Sequence, residues 1–166
     1  MGGKSTGGTR MLITDARAHF KRIEAELEGK AHVYLAGSAR RGKRLCGDVD
    51  LVVQPIAGHR QLLEDFVLEK IGKPLGDKVH VAWLEEPSHQ IEFYIAKEDG
   101  SDLGAQLFTW TGSKDHNMKM RSFAKRNGWK LNQYGVFDGD RCLTSGFSEE
   151  EIMKLLGVKF VEPKYR

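Results

Sequence analysis

Two short segments carry the side chains best suited to chemistry. The first is Gly37-Ser38-Ala39-Arg40-Arg41-Gly42, and Gly47-Asp48-Val49-Asp50 follows it closely. Alternate residues of a β-strand point to the same face of a sheet, so a strand here places the Asp48 and Asp50 carboxylates side by side. Adjacent carboxylates repel each other, and Mg²⁺ relieves that repulsion because hard cations prefer carboxylate oxygens. The pair therefore indicates a metal site.

The loop before these carboxylates has the composition of a phosphate-binding segment. Gly37 lets the backbone approach a ligand closely. Ser38 can donate from both its N–H and its hydroxyl, and Arg41 can hold a phosphate through two hydrogen bonds. A strand with two solvent-facing aspartates after a basic turn is the alternative, and this combination at this spacing disfavours it. We expect one loop to hold a triphosphate beside the metal site.

A third carboxylate is expected on a neighbouring strand. In residues 90–95, Ile91, Phe93 and Ile95 share one face and Glu92 points to the other. Glu92 is the natural candidate, although an exposed surface Glu is the alternative. Three carboxylates can hold two Mg²⁺ ions, with Mn²⁺ as a substitute, and this arrangement predicts transfer of a nucleotide to a 3′-hydroxyl. The six histidines show no metal-ligand spacing and stay unassigned.

The elements that must position these side chains follow from hydrophobic periodicity. Helices are predicted over 14–29, 59–71, 102–108, 113–127 and 148–157, and strands over 32–36, 48–54, 78–84 and 89–96. A hairpin is predicted around Asp138-Gly139, and residues 37–47 are predicted to be a connection. The fold class is therefore mixed α/β (α+β). A catalytic subdomain spans 10–108, a smaller helix-and-hairpin subdomain spans 109–166, and residues 1–9 form a flexible tail.

Composition excludes several classes of protein. With 40% apolar and 30% charged residues among 166, the chain is typical of a globular protein, and we expect it to be intracellular and monomeric. No apolar run approaches a membrane span or a secretory signal. The N-terminal GGKST lacks the spacing of a phosphate-binding P-loop. Cys46 and Cys142 are expected to be thiols.

Positive charge is concentrated in two blocks, although the net charge is only +3. The first block contains Lys30, Arg40, Arg41, Lys43 and Arg44. The second contains Lys114, Lys119, Arg121, Lys125, Arg126 and Lys130. Flanking an acidic site, such blocks suit a polyphosphate or a DNA backbone. For the second block alone, a solvated helix face is an equal alternative.

Taken together, these motifs resemble the palm signature of DNA polymerase family X. The similarity continues through Thr111-Gly112-Ser113, Asn117, Arg121 and residues 131–135, and it extends to Pro163. It covers the chain from about residue 10. The resemblance implies a nucleotidyltransferase palm with a mixed sheet, followed by a small thumb-like subdomain that surrounds the nascent base pair.

The resemblance also implies roles for individual residues. The catalytic metal ligands are Asp48, Asp50 and Glu92. The nucleotide contacts are Gly37, Ser38, Arg41 and Gly47 at the triphosphate, Trp110, Thr111 and Gly112 at the sugar, and Asn117 at the base edge. The DNA contacts are Lys114, Arg121, Lys125, Arg126 and Lys130.

Three features depart from the usual family pattern. The third metal ligand is usually Asp, and Glu92 adds a methylene that is expected to shift metal preference or slow the chemistry. The sugar position is usually Tyr-Phe, and Thr109-Trp110 predicts weak discrimination against ribonucleotides. The chain leaves no space for the helix-hairpin-helix elements that grip DNA in larger members, so basic side chains are expected to do this.

Three functions are compatible with these observations. The first is a template-directed DNA polymerase that fills short gaps with deoxynucleotides. The second is a template-independent nucleotidyltransferase that acts on a DNA end, a protein or a small molecule. The third, a DNA-binding module without catalysis, leaves the carboxylate cluster without a purpose.

Overall fold

The computed structural model describes residues 9–166. The tail predicted over 1–9 lies outside these residues except for Thr9, whose backbone N–H donates to the Ser88 carbonyl at 2.9 Å. The helices are α1 Ile13–Glu26, α2 Gly37–Arg40, α3 Arg60–Ile71, α4 Leu103–Thr111, α5 Lys114–Arg126 and α6 Glu149–Leu155, with a 3-10 turn at Pro163–Tyr165. The strands are β1 Met11–Leu12, β2 Ala31–Leu35, β3 Leu45–Cys46, β4 Asp48–Pro55, β5 His80–Glu85, β6 His89–Ile95, β7 Lys130–Asn132, β8 Gly135–Asp138 and β9 Arg141–Cys142.

A four-stranded sheet with the order β2-β4-β6-β5 organises the first part of the chain. Strands β4 and β6 are parallel, whereas β2 and β5 run antiparallel to their neighbours. The predicted mixed sheet and mixed α/β fold class are therefore confirmed. The parallel register places Asp50 opposite Glu92 and Asp48 opposite Gln90. Two residues far apart in sequence thus become neighbours across one pair of strands.

The main apolar core lies on one face of this sheet. Val49, Leu51 and Val53 of β4 alternate with the aspartates and pack with Ile91, Phe93 and Ile95 of β6. Residues of α1 and α3 complete this cluster, including Ile23 and Leu63, which are fully buried. Burial of these alternate residues fixes the strand orientation, because a slip by one residue would exchange the two faces. The carboxylates are consequently held on the opposite face.

Helix α4 covers part of that opposite face. Val52 packs there with Tyr94, Leu103, Leu107 and Trp110. The aspartates lie nearer the start of β4, beyond this cover. The sheet is therefore buried on both faces at one end and open on one face at the other, where Asp48, Asp50 and Glu92 line a cleft.

A second apolar core belongs to the C-terminal part of the chain. Phe108, Met120, Leu131, Val136 and Ile152 join α4, α5, the β7-β8-β9 sheet and α6. The boundary expected between residues 108 and 109 falls inside α4, whose residues contribute to both the second core and the cover of the first sheet. The predicted capping box of the last helix is present, since Ser148 Oγ accepts the Glu151 N–H at 3.2 Å and the Glu151 carboxylate accepts the Ser148 N–H at 3.4 Å.

Four short elements were not predicted. They are α2, which replaces part of the expected connection at 37–47, and the strands β1, β3 and β7. Elements of two to four residues are shorter than the repeats by which periodicity identifies a helix or strand. Helix α4 also continues three residues beyond its predicted end, until Gly112 adopts a positive φ of 68°. Cys46 and Cys142 are free thiols, as predicted.

Within residues 9–166, no helix combines the length and the apolar character that a membrane crossing requires.

One carboxylate joins the two cores. Arg40 of α2 donates to both oxygens of Glu149 in α6 at 2.8 and 2.6 Å, and Arg166 donates to the same carboxylate at 2.6 Å. Arg40 also donates to Thr111 Oγ1 at 2.7 Å. Burial alone would raise the pKa of Glu149, but the hydrogen bonds and charges of the two arginines lower it. Glu149 thus shares one negative charge between two cations that come from different parts of the chain.

We expect Glu149→Gln to lower the free energy of unfolding by roughly 3 kcal/mol, because it leaves two largely buried guanidinium groups without their counter-charge. Urea denaturation at neutral pH measures this loss. The folded-state pKa of Glu149 lies below the ordinary value, so its contribution is complete at neutral pH and disappears as the pH falls through the range in which glutamates are protonated. The neighbouring Glu150 is exposed, so Glu150→Gln is the matched control. Equal effects of the two substitutions would contradict a joining role for Glu149.

Candidate active site

A cleft of about 280 Å³ lies between the open end of the first sheet and the start of α5. Most of the residues predicted to act on a nucleotide line this one cleft. They are Gly37, Ser38, Arg41, Gly47, Asp48, Asp50, Glu92, Trp110, Gly112 and Asn117. Lys114, predicted to contact DNA, and Thr109, predicted with Trp110 at the sugar position, also line it, as does Tyr94, which had no predicted role.

Asp50 lies where the negative charges of the cleft are concentrated. Burial and the charges of Asp48 and Glu92 raise the pKa of Asp50 to about 7, although the Tyr94 hydroxyl and Arg41 oppose this rise. The Tyr94 hydroxyl donates to Asp50 Oδ1 at 3.4 Å. Burial is the largest cause of the raised pKa and repulsion from the two neighbouring carboxylates adds to it, so both effects disfavour the charged form of Asp50.

Gly37 is required by the approach of α2 to this carboxylate. Its φ is +61°, a conformation that favours glycine, and a β-carbon at this position would overlap the Asp50 carboxylate. The Ala36 N–H donates to the Asp50 carbonyl at 2.8 Å and fixes the chain entering α2 to β4. From the sequence, Gly37 is predicted to let the backbone approach a ligand closely. In the structure, the group that approaches Gly37 is the Asp50 side chain.

Arg41 brings positive charge to the same cleft. Its NH1 donates to the Thr111 carbonyl at 2.6 Å, which fixes the guanidinium against the end of α4. Its Nε is buried without a hydrogen-bond partner in the part of the chain that the structure describes. Burial lowers the pKa of Arg41 and the Asp50 charge opposes that change. The geometry leaves Arg41 able to donate to an anion in the cleft.

Glu92 is held by two neighbouring side chains. His80 Nε2 donates to Glu92 Oε2, and Gln90 Nε2 donates to Glu92 Oε1. The hydrogen bond to Glu92 raises the pKa of His80, while burial acts in the opposite direction. His80 had no role predicted from the sequence. Antiparallel pairing of the predicted strands 78–84 and 89–96 through a turn at residues 85–88 would have placed His80 opposite Tyr94 and near Glu92.

The donor set of the cleft fits a hard divalent cation. Asp48, Asp50 and Glu92 offer only oxygen, and a cation would relieve the repulsion expressed in the raised pKa of Asp50. As these side chains stand, no three His, Cys, Asp or Glu residues between 9 and 166 converge closely enough to hold a metal. Glu92 accepts one hydrogen bond at each oxygen, and a carboxylate has about four acceptor sites. It therefore keeps capacity for a metal beside its present partners.

Trp110 lines the cleft and is held by aromatic and hydrogen-bond contacts. Its ring lies flat on Tyr94, with centroids 3.9 Å apart and planes inclined by 9°. Its Nε1 donates to Gln106 Oε1 at 2.7 Å, and Gln106 in turn donates to Asp102 at 3.1 Å. These contacts fix the indole against the sheet. Thr111, also predicted at the sugar, is fully buried outside the cleft lining and accepts from Arg40.

Asn117 stands between the main cleft and a second cavity. Its amide nitrogen donates to the Thr109 carbonyl at 2.8 Å, whereas its Oδ1 is buried without a hydrogen-bond partner among the described residues. The second cavity has a volume of about 140 Å³, and Arg121 and residues 131–133 are among the residues that line it. Asn117 therefore lines both cavities and shares the second one with the cationic side chain of Arg121.

The remaining predicted DNA contacts lie outside both cavities. Lys125 and Arg126 are exposed in the last turn of α5, and Lys130 is exposed at the start of β7. The structure thus brings most of the residues predicted to bind the nucleotide into one cleft and leaves these three cations on the surface outside it.

Comparison with known proteins agrees with this arrangement. Residues 10–93 match the DNA polymerase beta palm, and residues 106–166 match the DNA polymerase beta thumb. The chain is 30% identical to the DNA polymerase/3'-5' exonuclease PolX of Bacillus subtilis, over 88% of this chain and 26% of that protein. It is 27% identical to the repair DNA polymerase X of African swine fever virus isolate Pig/Kenya/KEN-50/1950, over 81% of each chain.

Several curated relatives are much longer than this chain. It spans 26% of the Bacillus protein and 13% of DNA polymerase IV from Saccharomyces cerevisiae, to which it is 39% identical over 77 residues. The polymerase beta of Leishmania infantum, solved as a ternary gap complex, superposes with a TM-score of 0.77 at 17% identity over 95% of this chain and 71% of that one. This likeness supports the fold.

The palm match alone extends over half of the chain and includes every carboxylate of the cleft. The chain belongs to DNA polymerase family X.

Proposed function

We propose that the chain is a DNA polymerase that adds nucleotides to a primer 3′-hydroxyl and fills short gaps in duplex DNA. The observation that supports it best is the single cleft shared by three carboxylates, the Ser38–Arg41 loop and Asn117. A nucleoside triphosphate needs charge compensation at its phosphates and a polar contact at its base, and this cleft offers both. Family membership and the relatives that are named as repair polymerases support the same function.

In this proposal Asp48, Asp50 and Glu92 hold two divalent cations, Mg²⁺ or Mn²⁺. Such ions, when bound, activate the attacking hydroxyl and stabilise the leaving pyrophosphate. The protein's own side chains position the substrate. Ser38 and Arg41 donate to the triphosphate, Gly47 lies beside it, Gly37 makes room for the Asp50 carboxylate, and Gly112 and Trp110 border the sugar.

A template is proposed because of the residues on α5. Asn117 lines both the main cleft and the adjoining cavity, and Arg121 lines the adjoining cavity. Two neighbouring polar groups of this kind can contact a nascent base pair and its template strand. Lys114 at the cleft, and Lys125, Arg126 and Lys130 outside both cavities, are exposed and are proposed to bind the DNA backbone, which is a sequence-independent contact.

We expect the chain to extend the primer of a short gapped duplex when Mg²⁺ is present and to select the nucleotide complementary to the template base. Single-nucleotide extension with each of the four deoxynucleotides in turn measures this selection. The matched control carries the same primer without a template strand.

Equal incorporation of all four nucleotides, or equal extension of the single-stranded primer, would contradict template direction and support a template-independent nucleotidyltransferase. Removal of residues after about 110 then provides a second comparison. A template-independent activity confined to the first core should survive that truncation, whereas polymerisation should not.

We expect Asp50→Asn to reduce the extension rate roughly 100-fold or more, because each metal-supplied stabilisation contributes several kcal/mol to the transition state. The same substitution should leave the thermal midpoint of the metal-free chain unchanged or higher, since it removes the repulsion that raises the pKa of Asp50. Asp77 lies in an exposed loop, so Asp77→Asn is the control. An Asp50→Asn variant with normal extension would rule out this site.

Discrimination against ribonucleotides should be modest, on the order of 100-fold or less. The indole of Trp110 is fixed flat on Tyr94 and hydrogen bonded to Gln106, so it cannot fold over the 2′ position, and Thr109 is too small to block it. Thr109→Tyr should raise the discrimination at least several-fold. The ratio of kcat/KM for matched deoxy- and ribonucleotides measures it, and a wild-type preference of several thousand-fold would contradict the argument.

A further inference from the structure

The carboxylate of Glu92 is held at both of its oxygens. Each of its oxygens accepts a hydrogen bond from a different residue: Oε2 from His80 on the edge strand β5, and Oε1 from Gln90 two residues earlier on β6. The side chain is 11% exposed, so it has little freedom to point elsewhere. Neither donor belongs to the phosphate-binding loop or to α5.

The length of Glu92 explains why such a clamp is useful. Glutamate has one more rotatable bond than the aspartate that is usual at this position of the family, and a freely rotating carboxylate loses more conformational entropy when it binds a metal. Two donors on either side of the carboxylate group restrict that bond before any cation arrives. Hydrogen bonds of this kind to metal ligands commonly change metal affinity 10- to 100-fold.

We propose that His80 is a positioning residue that, together with Gln90, holds the longer Glu92 carboxylate beside Asp50 so that it can serve as a metal ligand. The inference rests on the proposed function, because it concerns the metal site of the same cleft. His80 does not itself line the cleft; it contacts Glu92 and Tyr94, and in this proposal it acts on the metal site through Glu92.

A ring contact fixes His80 in turn. Its imidazole stacks on the Tyr94 ring, with centroids 4.8 Å apart and planes inclined by 17°. The Tyr94 ring also stacks with the Trp110 ring. The side chain of His80 is nevertheless 49% exposed, so it contributes little to the core. Replacement of His80 can therefore be tested without unfolding the chain.

Two substitutions separate the hydrogen bond from the ring contact. His80→Gln keeps a side-chain N–H donor and removes the aromatic ring, whereas His80→Phe keeps the ring and removes the donor. The measurement is a calorimetric titration of Mn²⁺ into the chain, without DNA or nucleotide, which gives the Mn²⁺ affinity. We expect His80→Phe to weaken Mn²⁺ binding roughly tenfold and His80→Gln to stay within about twofold of wild type.

A double-mutant cycle with Glu92→Asp tests the mechanism. The shorter aspartate retracts its carboxylate from His80, so His80→Phe should have no further effect on Mn²⁺ affinity in the Glu92→Asp background. An equal loss from His80→Phe in both backgrounds, or equal loss from the Gln and Phe variants, would overturn the proposal. His32 is exposed on the opposite edge strand, and His32→Phe is the control for loss of a surface histidine.

Failure of the inference is distinguishable from failure of the proposed function. A wild-type chain that binds Mn²⁺ but does not extend a primer would contradict the polymerase function and leave the role of His80 to be judged by the cycle. A wild-type chain that binds no Mn²⁺ would overturn the role of His80 together with the metal site. Circular dichroism of each variant verifies that the fold is retained.

Discussion

Repulsion among carboxylates at the open end of one sheet is the constraint on which the rest of the site depends. Asp48 and Asp50 share a face of β4, and the parallel register with β6 places Glu92 opposite Asp50. Burial, with the added repulsion from Asp48 and Glu92, raises the pKa of Asp50 to about 7. A folded chain does not gather these charges without a compensating partner, and the surroundings of the cleft supply compensation only in part.

The neighbouring elements are arranged around that charge. Gly37 allows α2 to pack directly on Asp50, and Arg41 brings a cation that is fixed through the Thr111 carbonyl. Arg40 comes from the same turn but faces away and binds Glu149, which also binds Arg166. Helix α2 therefore contacts Asp50 on one side and Glu149 of the C-terminal core on the other. The geometry of the cleft and the contact between the two cores both depend on this short helix.

The sequence predicted those features that depend on the alternation of residues along a strand or on a short motif. Alternation along β4 and β6 predicted which side chains face the core and therefore where Asp48, Asp50 and Glu92 point. Contacts that depend on strand order and on packing between cores were not accessible in this way. His80 meets Glu92 only because β5 pairs with β6, and Arg40 meets Glu149 across 109 residues. Thr111 follows Trp110 directly, yet the helical turn directs it to Arg40 and away from the cleft.

The central claim is that a divalent cation relieves the repulsion stored at Asp50. The most direct test compares the unfolding free energies of wild type and Asp50→Asn at pH 5 and pH 8, with and without Mg²⁺. Because the folded-state pKa of Asp50 is raised to about 7, its contribution to stability is lost as the pH rises through that value in the metal-free chain. The stability of the Asn variant relative to wild type should therefore increase toward pH 8 without metal, and Mg²⁺ should stabilise only the wild type. Equal stabilisation of both chains by Mg²⁺, or of neither, would contradict the claim.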